Sequence, residues 1–121
     1  MGDSPPRLAV VGPGLIGTSV ARAAARRWPG LEVRTVDQGD SLDRIGDSSV
    51  VVLAMPVDAI IQALPHLAAI VRREALVIDT GSTKRAVMAA AATAGLSQFV
   101  GGHPMAGSTT AGPSEARADL F

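Results

Sequence analysis

The segment RLAVVGPGLIGTSVARAAARR, residues 7–27, decides the fold. It begins with a short apolar run, Arg7 to Val11, which stops at a glycine and a proline. Leu15 to Arg27 then places small and apolar residues at helical spacing, and Trp28-Pro29-Gly30 ends that pattern. A buried strand followed at once by a helix is the first half of a β-α-β unit.

The same alternation continues along the chain. The predicted strands are residues 7–11, 31–36, 50–54, 75–79 and 98–101, and the predicted helices are residues 15–27, 58–72 and 84–94. Strands that alternate with helices indicate a parallel sheet with right-handed crossovers. The segment from Gln38 to Ser49 is too short for a helix and a further strand, and holds at most one or two helical turns over Ser41 to Ile45. We therefore predict an α/β fold, a shortened, Rossmann-like, doubly wound parallel sheet of strand order 2-1-3-4-5.

Composition limits the classes of function. A chain of 121 residues that is 47% hydrophobic predicts one domain, which we place at residues 7–121 after a disordered tail of residues 1–6. The formal net charge is zero with scattered basic residues, which argues against a nucleic-acid or membrane partner. There is no cysteine, no apolar signal segment and no cluster typical of a metal site. We expect a cytoplasmic protein without a metal.

The glycine motif Gly12-Pro13-Gly14-Leu15-Ile16-Gly17 matches G-x-G-x-x-G between a strand and a helix. The first glycine allows a tight turn, Gly14 lets the backbone approach a pyrophosphate, and Gly17 lets the helix pack closely on the sheet. The helix N-terminus would then offer N–H groups and a positive dipole end to phosphates. The motif predicts dinucleotide binding, the alternative being an ordinary glycine-rich turn.

Asp37 ends the second predicted strand, twenty positions after Gly17. A carboxylate there accepts hydrogen bonds from both adenosine ribose hydroxyls and repels a 2′-phosphate, which favours NAD over NADP. The alternative is a turn aspartate, and Arg34 leaves NADP open. Ala54-Met55-Pro56 follows the third strand beside the glycine motif, so its backbone is predicted to border the cofactor, unless it only ends a strand and starts a helix.

Two further loops follow the fourth and fifth strands. In Asp79-Thr80-Gly81-Ser82-Thr83-Lys84, one hydroxyl can cap the next helix, whereas Lys84 opposes the helix dipole and so suggests a tertiary or functional role. FVGGHPMAGS, residues 99–108, contains His103, and a histidine is a residue type that can accept a proton from a hydroxyl that is being oxidised. The alternative is a loop histidine bonded to backbone. His66, inside a predicted helix, is interpreted as solvated and without a role.

These motifs together resemble the prephenate/arogenate dehydrogenase family. The matching stretches are GPGLIGTSVA (12–21), VVLAMPVDAI (51–60), DTGSTK (79–84), FVGGHPMAGS (99–108) and the final DLF. The resemblance implies oxidative decarboxylation of prephenate or arogenate in tyrosine biosynthesis, with hydride transfer to NAD. It implies that His103 is the catalytic histidine and Ser82 the active-site serine.

This sequence departs from the family pattern at three points, the first being Thr109, where the family often has a glutamate that helps to shape the substrate pocket. The helix and edge strand that usually follow the Asp37 position look deleted, so we expect a more open adenosine pocket. Family members continue into a helical C-terminal domain for dimerisation and substrate binding, and we expect that domain to be absent from the 121 residues. The apolar surface it would cover is then expected to drive association into homo-oligomers.

Two other interpretations stay open. The chain can be a non-catalytic dinucleotide-binding module, such as a truncated paralogue that needs a partner chain. It can also belong to a related imine or hydroxy-acid reductase, although the GGHPMAGS loop, residues 101–108, argues against that because those families usually rely on other residues.

We predict that His103→Asn in the active enzyme lowers kcat by at least ~100-fold, because the proton of the substrate hydroxyl loses its acceptor. Binding of NAD, measured by isothermal titration, should change little. A variant that keeps its rate would make His103 a structural loop residue.

Overall fold

A parallel sheet of five strands forms the centre of the computed structural model, which describes residues 6–12, 14–37, 40–81 and 84–102. The strands are β1 (Arg7–Val11), β2 (Glu32–Val36), β3 (Val50–Leu53), β4 (Leu76–Asp79) and β5 (Phe99–Val100). The helices are α1 (Leu15–Arg27), α2 (Val57–Ile70) and α3 (Arg85–Thr93), with one 3₁₀ turn at Leu42–Ile45. The order of strands is β2-β1-β3-β4-β5, all parallel, so the predicted fold class and topology are confirmed.

The predicted strand boundaries differ by one or two residues at several ends. β2 begins at Glu32 because the Leu31 N–H donates to the Trp28 carbonyl at 2.9 Å in a turn. In the same way, β4 begins after Ala75, whose N–H donates to the Arg72 carbonyl at 3.0 Å. Apolar side chains at both positions look like strand residues in the sequence, but their amides belong to the preceding turns.

Alternation along β1 divides the core between the two faces of the sheet. Leu8 and Val10 pack with residues of α1, whereas Ala9 and Val11 pack with residues of α2 and α3. β3 alternates in the same way and is buried from Val51 onward. Strands covered on both faces read as continuous apolar runs, which is why β1 and β3 have no polar side.

The larger core lies on the α2 and α3 side. Ile60, Leu64 and Leu67 of α2 are completely buried there. Ile45, from the 3₁₀ turn, is also completely buried in this core. The turn is capped by Ser41, whose Oγ accepts the Asp43 N–H at 3.2 Å. The short connection between β2 and β3 thus contributes a buried side chain through one capped turn, as its length predicts.

Two large apolar side chains of β4 and β5 remain exposed. Leu76 of β4 keeps 38% and Val100 of β5 keeps 52% of its surface exposed.

None of the helices in the described ranges has the length and hydrophobicity that a membrane-spanning segment needs.

Replacing Leu64 by alanine should reduce the free energy of unfolding by about 2–5 kcal/mol, since the side chain is completely buried and leaves a cavity. Met88→Ala is the matched control on α3, because Met88 is 42% exposed and should change stability by under about 0.5 kcal/mol. Urea denaturation followed by circular dichroism measures both. Equal losses for the two variants would contradict the described core.

Candidate cofactor and active site

Backbone hydrogen bonds hold the carboxyl ends of the central strands together. The Gly12 N–H donates to the Val36 carbonyl at 2.9 Å, which joins the end of β1 to the end of β2. The Ala54 N–H donates to the Val11 carbonyl at 2.8 Å, which joins the residue after β3 to β1. The loops after these strands therefore begin at fixed positions around the switch point between β1 and β3, where sheets of this kind bind ligands.

The glycine turn between β1 and α1 is packed backbone against backbone. Gly12 has φ +97°, in the region that side chains disfavour, and a Cβ there would lie 2.5 Å from the Ala54 carbonyl oxygen. A Cβ at Gly17 would overlap the Gly12 carbonyl oxygen. Around Gly14, by contrast, a Cβ would meet no atom within 4 Å. Gly12 and Gly17 thus serve packing within the protein, and Gly14 faces open space.

The N-terminus of α1 begins at this turn, with Gly14 as its N-cap. Within the described part of the chain, no side chain forms a capping hydrogen bond there, and the first turn carries no acidic residue. First-turn N–H groups have no partner inside a helix, and the dipole makes that end positive. This end of α1 therefore suits an anionic group of a ligand.

A cleft of about 590 Å³ opens beside the glycine turn. Its walls are Val11, Gly12, Gly14, Val36, Asp37, Asp40, Leu42, Ala54, Met55, Pro56 and Ala59. The cleft brings together the predicted residues of three separate loops, those after β1, β2 and β3. Of the other residues predicted to bind a cofactor, Leu15, Ile16 and Gly17 belong to α1 and do not line the cleft, although Gly17 lies directly against its turn.

Two acidic residues stand at the β2 end of the cleft. The Asp37 N–H donates to Asp40 Oδ2 at 2.9 Å, and the Asp40 N–H donates to the Asp37 carbonyl at 3.0 Å. Sequence reasoning singled out Asp37 and missed Asp40. The available signal was an aspartate three positions beyond a strand-end aspartate, a spacing at which the later side chain can bond back to the backbone of the earlier residue.

Arg34, the residue that left NADP open in the sequence, is engaged elsewhere. Its guanidinium contacts Glu32 Oε2 at 3.0 Å and Asp47 Oδ1 at 3.8 Å. It also donates to the carbonyl of Arg44. Arg34 does not line the cleft.

Asp79, the last residue of β4, has no solvent exposure. Its Oδ2 accepts the Gly81 N–H at 2.9 Å and the Lys84 Nζ at 2.6 Å, and its Oδ1 accepts the Gly102 N–H at 3.1 Å. Lys84 thus makes a tertiary contact, as its unfavourable place at the start of α3 suggested. The sequence reasoning gave Asp79 no role, although a carboxyl group at the end of an apolar strand, five residues before that lysine, was a usable signal.

The two predicted catalytic residues, Ser82 and His103, lie outside the described residues. Gly81 and Gly102, which precede them directly, are described and both bond to Asp79. His66 is an exposed residue of α2 with its Nε2 3.2 Å from Asp43 Oδ1, and it does not line the cleft.

A doubly wound parallel sheet with a G-x-G-x-x-G turn and a cleft at its switch point defines a dinucleotide-binding domain of the Rossmann class. The family model for the prephenate dehydrogenase nucleotide-binding domain matches residues 12–121. The chain belongs to this family.

Individual relatives agree with this assignment. The chain is 32% identical to a prephenate dehydrogenase of Bacillus subtilis over 93% of its own length and 36% of that protein. It superposes on the crystal structure of Synechocystis arogenate dehydrogenase with a TM-score of 0.87 and 30% identity, covering 95% of this chain and 46% of the other. A prephenate dehydrogenase from A. aeolicus, solved with hydroxyphenyl propionate and NAD+, shares the fold with a TM-score of 0.86 and 22% identity over 98% of this chain and 48% of that one. The chain thus spans between a third and a half of the length of these relatives.

Gly17→Ala should lower the free energy of unfolding by about 1–3 kcal/mol, because the added methyl group meets the Gly12 carbonyl and forces α1 away from the turn. Gly14→Ala, three positions earlier, adds the same methyl group to open space, so it should cost less than Gly17→Ala, about 1 kcal/mol or below, which is the usual loss when alanine replaces glycine as an N-cap. Thermal and urea unfolding of the pair make the comparison. Equal stability of the two variants would contradict the backbone packing described for this turn.

Proposed function

We propose that this chain is the NAD-binding domain of an enzyme that oxidatively decarboxylates prephenate or arogenate. The observation that carries the proposal is the cleft, in which the glycine turn, the Asp37 carboxylate and the Ala54-to-Pro56 backbone meet at the switch point of the sheet. Three loops far apart in sequence converge there, each with the chemistry that a different part of a dinucleotide requires.

The residues of the cleft fit the cofactor group by group. The N-terminus of α1, with Gly14 in open space, would hold the pyrophosphate without a side chain in the way. Asp37 would accept hydrogen bonds from the adenosine ribose. The loop after β3, at Ala54 to Pro56, would border the nicotinamide half.

The charges around the ribose end favour NAD over NADP. Asp37 and Asp40 both line this end, and the Asp40 charge is offset by Arg44, whose Nη1 lies 3.6 Å from Asp40 Oδ2, so the repulsion of a 2′-phosphate rests mainly on Asp37. Arg34, the nearby base in the sequence, is bonded to Glu32, Asp47 and the Arg44 carbonyl. A cation that is already engaged in an ion-pair network would have to leave it to receive a phosphate.

We propose His103 and Ser82 as the catalytic residues. Bound NAD would supply the acceptor for the hydride that leaves the ring carbon bearing the hydroxyl. His103 would accept the proton of that hydroxyl, and loss of carbon dioxide would then make the ring aromatic. Ser82 would donate a hydrogen bond near the histidine and help to orient it. Their loops leave the carboxyl ends of β4 and β5, the same edge of the sheet as the cleft.

The relatives support an enzyme rather than a non-catalytic module, since those described above are all dehydrogenases. They are also longer than this chain. We propose that residues 7–121 act as one cofactor domain and that the carboxylates of the substrate are bound largely by a further helical domain. We propose further that the enzyme acts in the cytoplasm and associates through apolar surface of this domain, such as that around Val100.

Isothermal titration of the 121-residue chain with NAD and NADP tests the cofactor. We expect measurable binding of NAD and weaker binding of NADP. Asp37→Ala should lower the affinity for NAD by about 10-fold, since two hydrogen bonds to the ribose are lost. It should also reduce the difference between the affinities for NAD and NADP.

Asp43→Asn is the matched control for that experiment. It removes one carboxylate from the same connection, and Asp43 does not line the cleft, so NAD affinity should be unchanged. Tighter binding of NADP than of NAD by the wild-type chain would contradict the proposed preference.

Activity is tested with both ring substrates. We expect the purified 121-residue chain to bind NAD but to turn over little or no prephenate or arogenate, because the groups proposed to hold the substrate carboxylates are not among its described cleft residues. Production of NADH, followed by absorbance, is the measurement. Robust turnover by this chain would overturn the proposed need for a further domain.

Light scattering over a range of concentrations tests the proposed association of the chain with itself.

A further inference from the structure

The buried carboxylate of Asp79 bonds two loops that are 21 residues apart in the chain (102 − 81). One oxygen receives the Gly81 N–H and the Lys84 ammonium, and the other receives the Gly102 N–H. Gly81 directly precedes Ser82, and Gly102 directly precedes His103. A single side chain is therefore the common acceptor for the starts of both loops that carry the proposed catalytic residues.

The surroundings of Asp79 leave little freedom to either loop. A Cβ at Gly81 would lie 3.0 Å from Asp79 Oδ2 and 3.2 Å from a methyl carbon of Val57. A Cβ at Gly102 would lie 2.7 Å from the Asp79 carbonyl oxygen. The backbones of both loops thus pack directly against Asp79, with little or no room for a side chain at either glycine.

Lys84 offsets part of the cost of burying this carboxylate. An unpaired buried carboxylate is costly, and the Lys84 ammonium at 2.6 Å, with two N–H donors, supplies the compensating interactions. The Lys84 side chain keeps a third of its surface exposed, so its charge stays partly solvated. This arrangement also explains a lysine at the start of α3, where the helix dipole disfavours a cation.

We propose that Asp79 is a positioning residue, whose carboxylate holds the Gly81 and Gly102 amides and thereby sets the relative positions from which the Ser82 and His103 loops begin. The inference rests on the proposed function, because Ser82 and His103 are its proposed catalytic residues. Asp79 does not line the cofactor cleft, so its effect is on the orientation of the catalytic loops rather than on cofactor affinity.

The first test uses the wild-type 121-residue chain, labelled with ¹⁵N and ¹³C. Nuclear magnetic resonance correlations through hydrogen bonds should connect the amide nitrogens of Gly81 and Gly102 to the same carboxyl carbon, that of Asp79. Both amides should also exchange slowly with solvent. Fast exchange of either amide, together with no correlation to Asp79, would overturn the proposal without any variant.

The second test is Asp79→Asn, which preserves shape but offers one acceptor oxygen in place of two. If that oxygen faces Gly81 and Lys84, the new side-chain amide group opposes the Gly102 N–H, and in the flipped orientation it opposes the other two donors. One loop must lose its acceptor, so exchange of at least one of the two glycine amides should accelerate by roughly 10-fold. The Ala54 amide, bonded to Val11, reports any general loosening of the sheet edge and should stay near its wild-type rate.

Glu74→Gln is the matched control for a lost carboxylate. Glu74 lies in the turn before β4, where it contacts Arg72 and is not bonded to either loop. Both glycine amides should be unaffected by it. If Asp79→Asn leaves both glycine amides at their wild-type rates, the proposal is overturned.

Kinetics distinguish positioning from simple support of the fold. In the active enzyme that contains this domain, Asp79→Asn should lower kcat by roughly 10- to 100-fold through misplacement of the catalytic groups, with the dissociation constant of NAD nearly unchanged. Equal losses of NAD affinity and kcat would indicate a structural role and overturn the proposal. If the chain bound no NAD at all, the proposed function would fail, whereas the exchange of Gly81 and Gly102 would still decide whether Asp79 holds the two loops.

Discussion

The contact between the glycine turn and the loop after β3 is the constraint on which the site depends. Gly17 packs against the Gly12 carbonyl, and Gly12 packs in turn against the Ala54 carbonyl, with no room for a side chain at either glycine. This stack of backbone sets the distance between α1 and the β1–β3 pair. The cleft lies directly beside it, so its shape follows from main-chain packing, which is stiffer than contacts between long side chains.

The carboxylates around the site fall into two groups, exposed ones at the cleft and a buried one beneath the neighbouring loops. At the exposed rim, Asp37 and Asp40 present acidic groups to the β2 end of the cleft, and the nearby Arg34 is held by other partners. In the interior, Asp79 is surrounded by donors and paired with Lys84. The surface carboxylates are suited to select a ligand, whereas the buried one is suited to order the backbone around it.

Several features were predictable because they depend on local pattern. The apolar runs of β1 and β3, the helical period of α1 and the short helical turn within residues 41–45 are visible in the sequence. They occur in the structure within one or two residues of the predicted bounds. The order of strands followed from one length, since residues 38–49 cannot hold a crossover helix and a strand. The errors at strand ends arose at Leu31 and Ala75, where apolar side chains conceal amides that bond to a turn.

What the sequence by itself determined is the class of fold, its topology and the identity of the glycine motif, because these depend on periodicity, connection length and the steric needs of a tight turn. Only the tertiary structure decided the surroundings of Asp40, Arg34 and Asp79 beyond their neighbours in the chain. Each of these side chains is charged and could have been solvated at the surface. Asp40 lines the cleft, Arg34 joins an ion-pair network and Asp79 is a buried acceptor because of the strands and loops that the fold places beside each of them. Asp79 and Gly102, for example, are far apart in the chain and meet only when β4 and β5 pair.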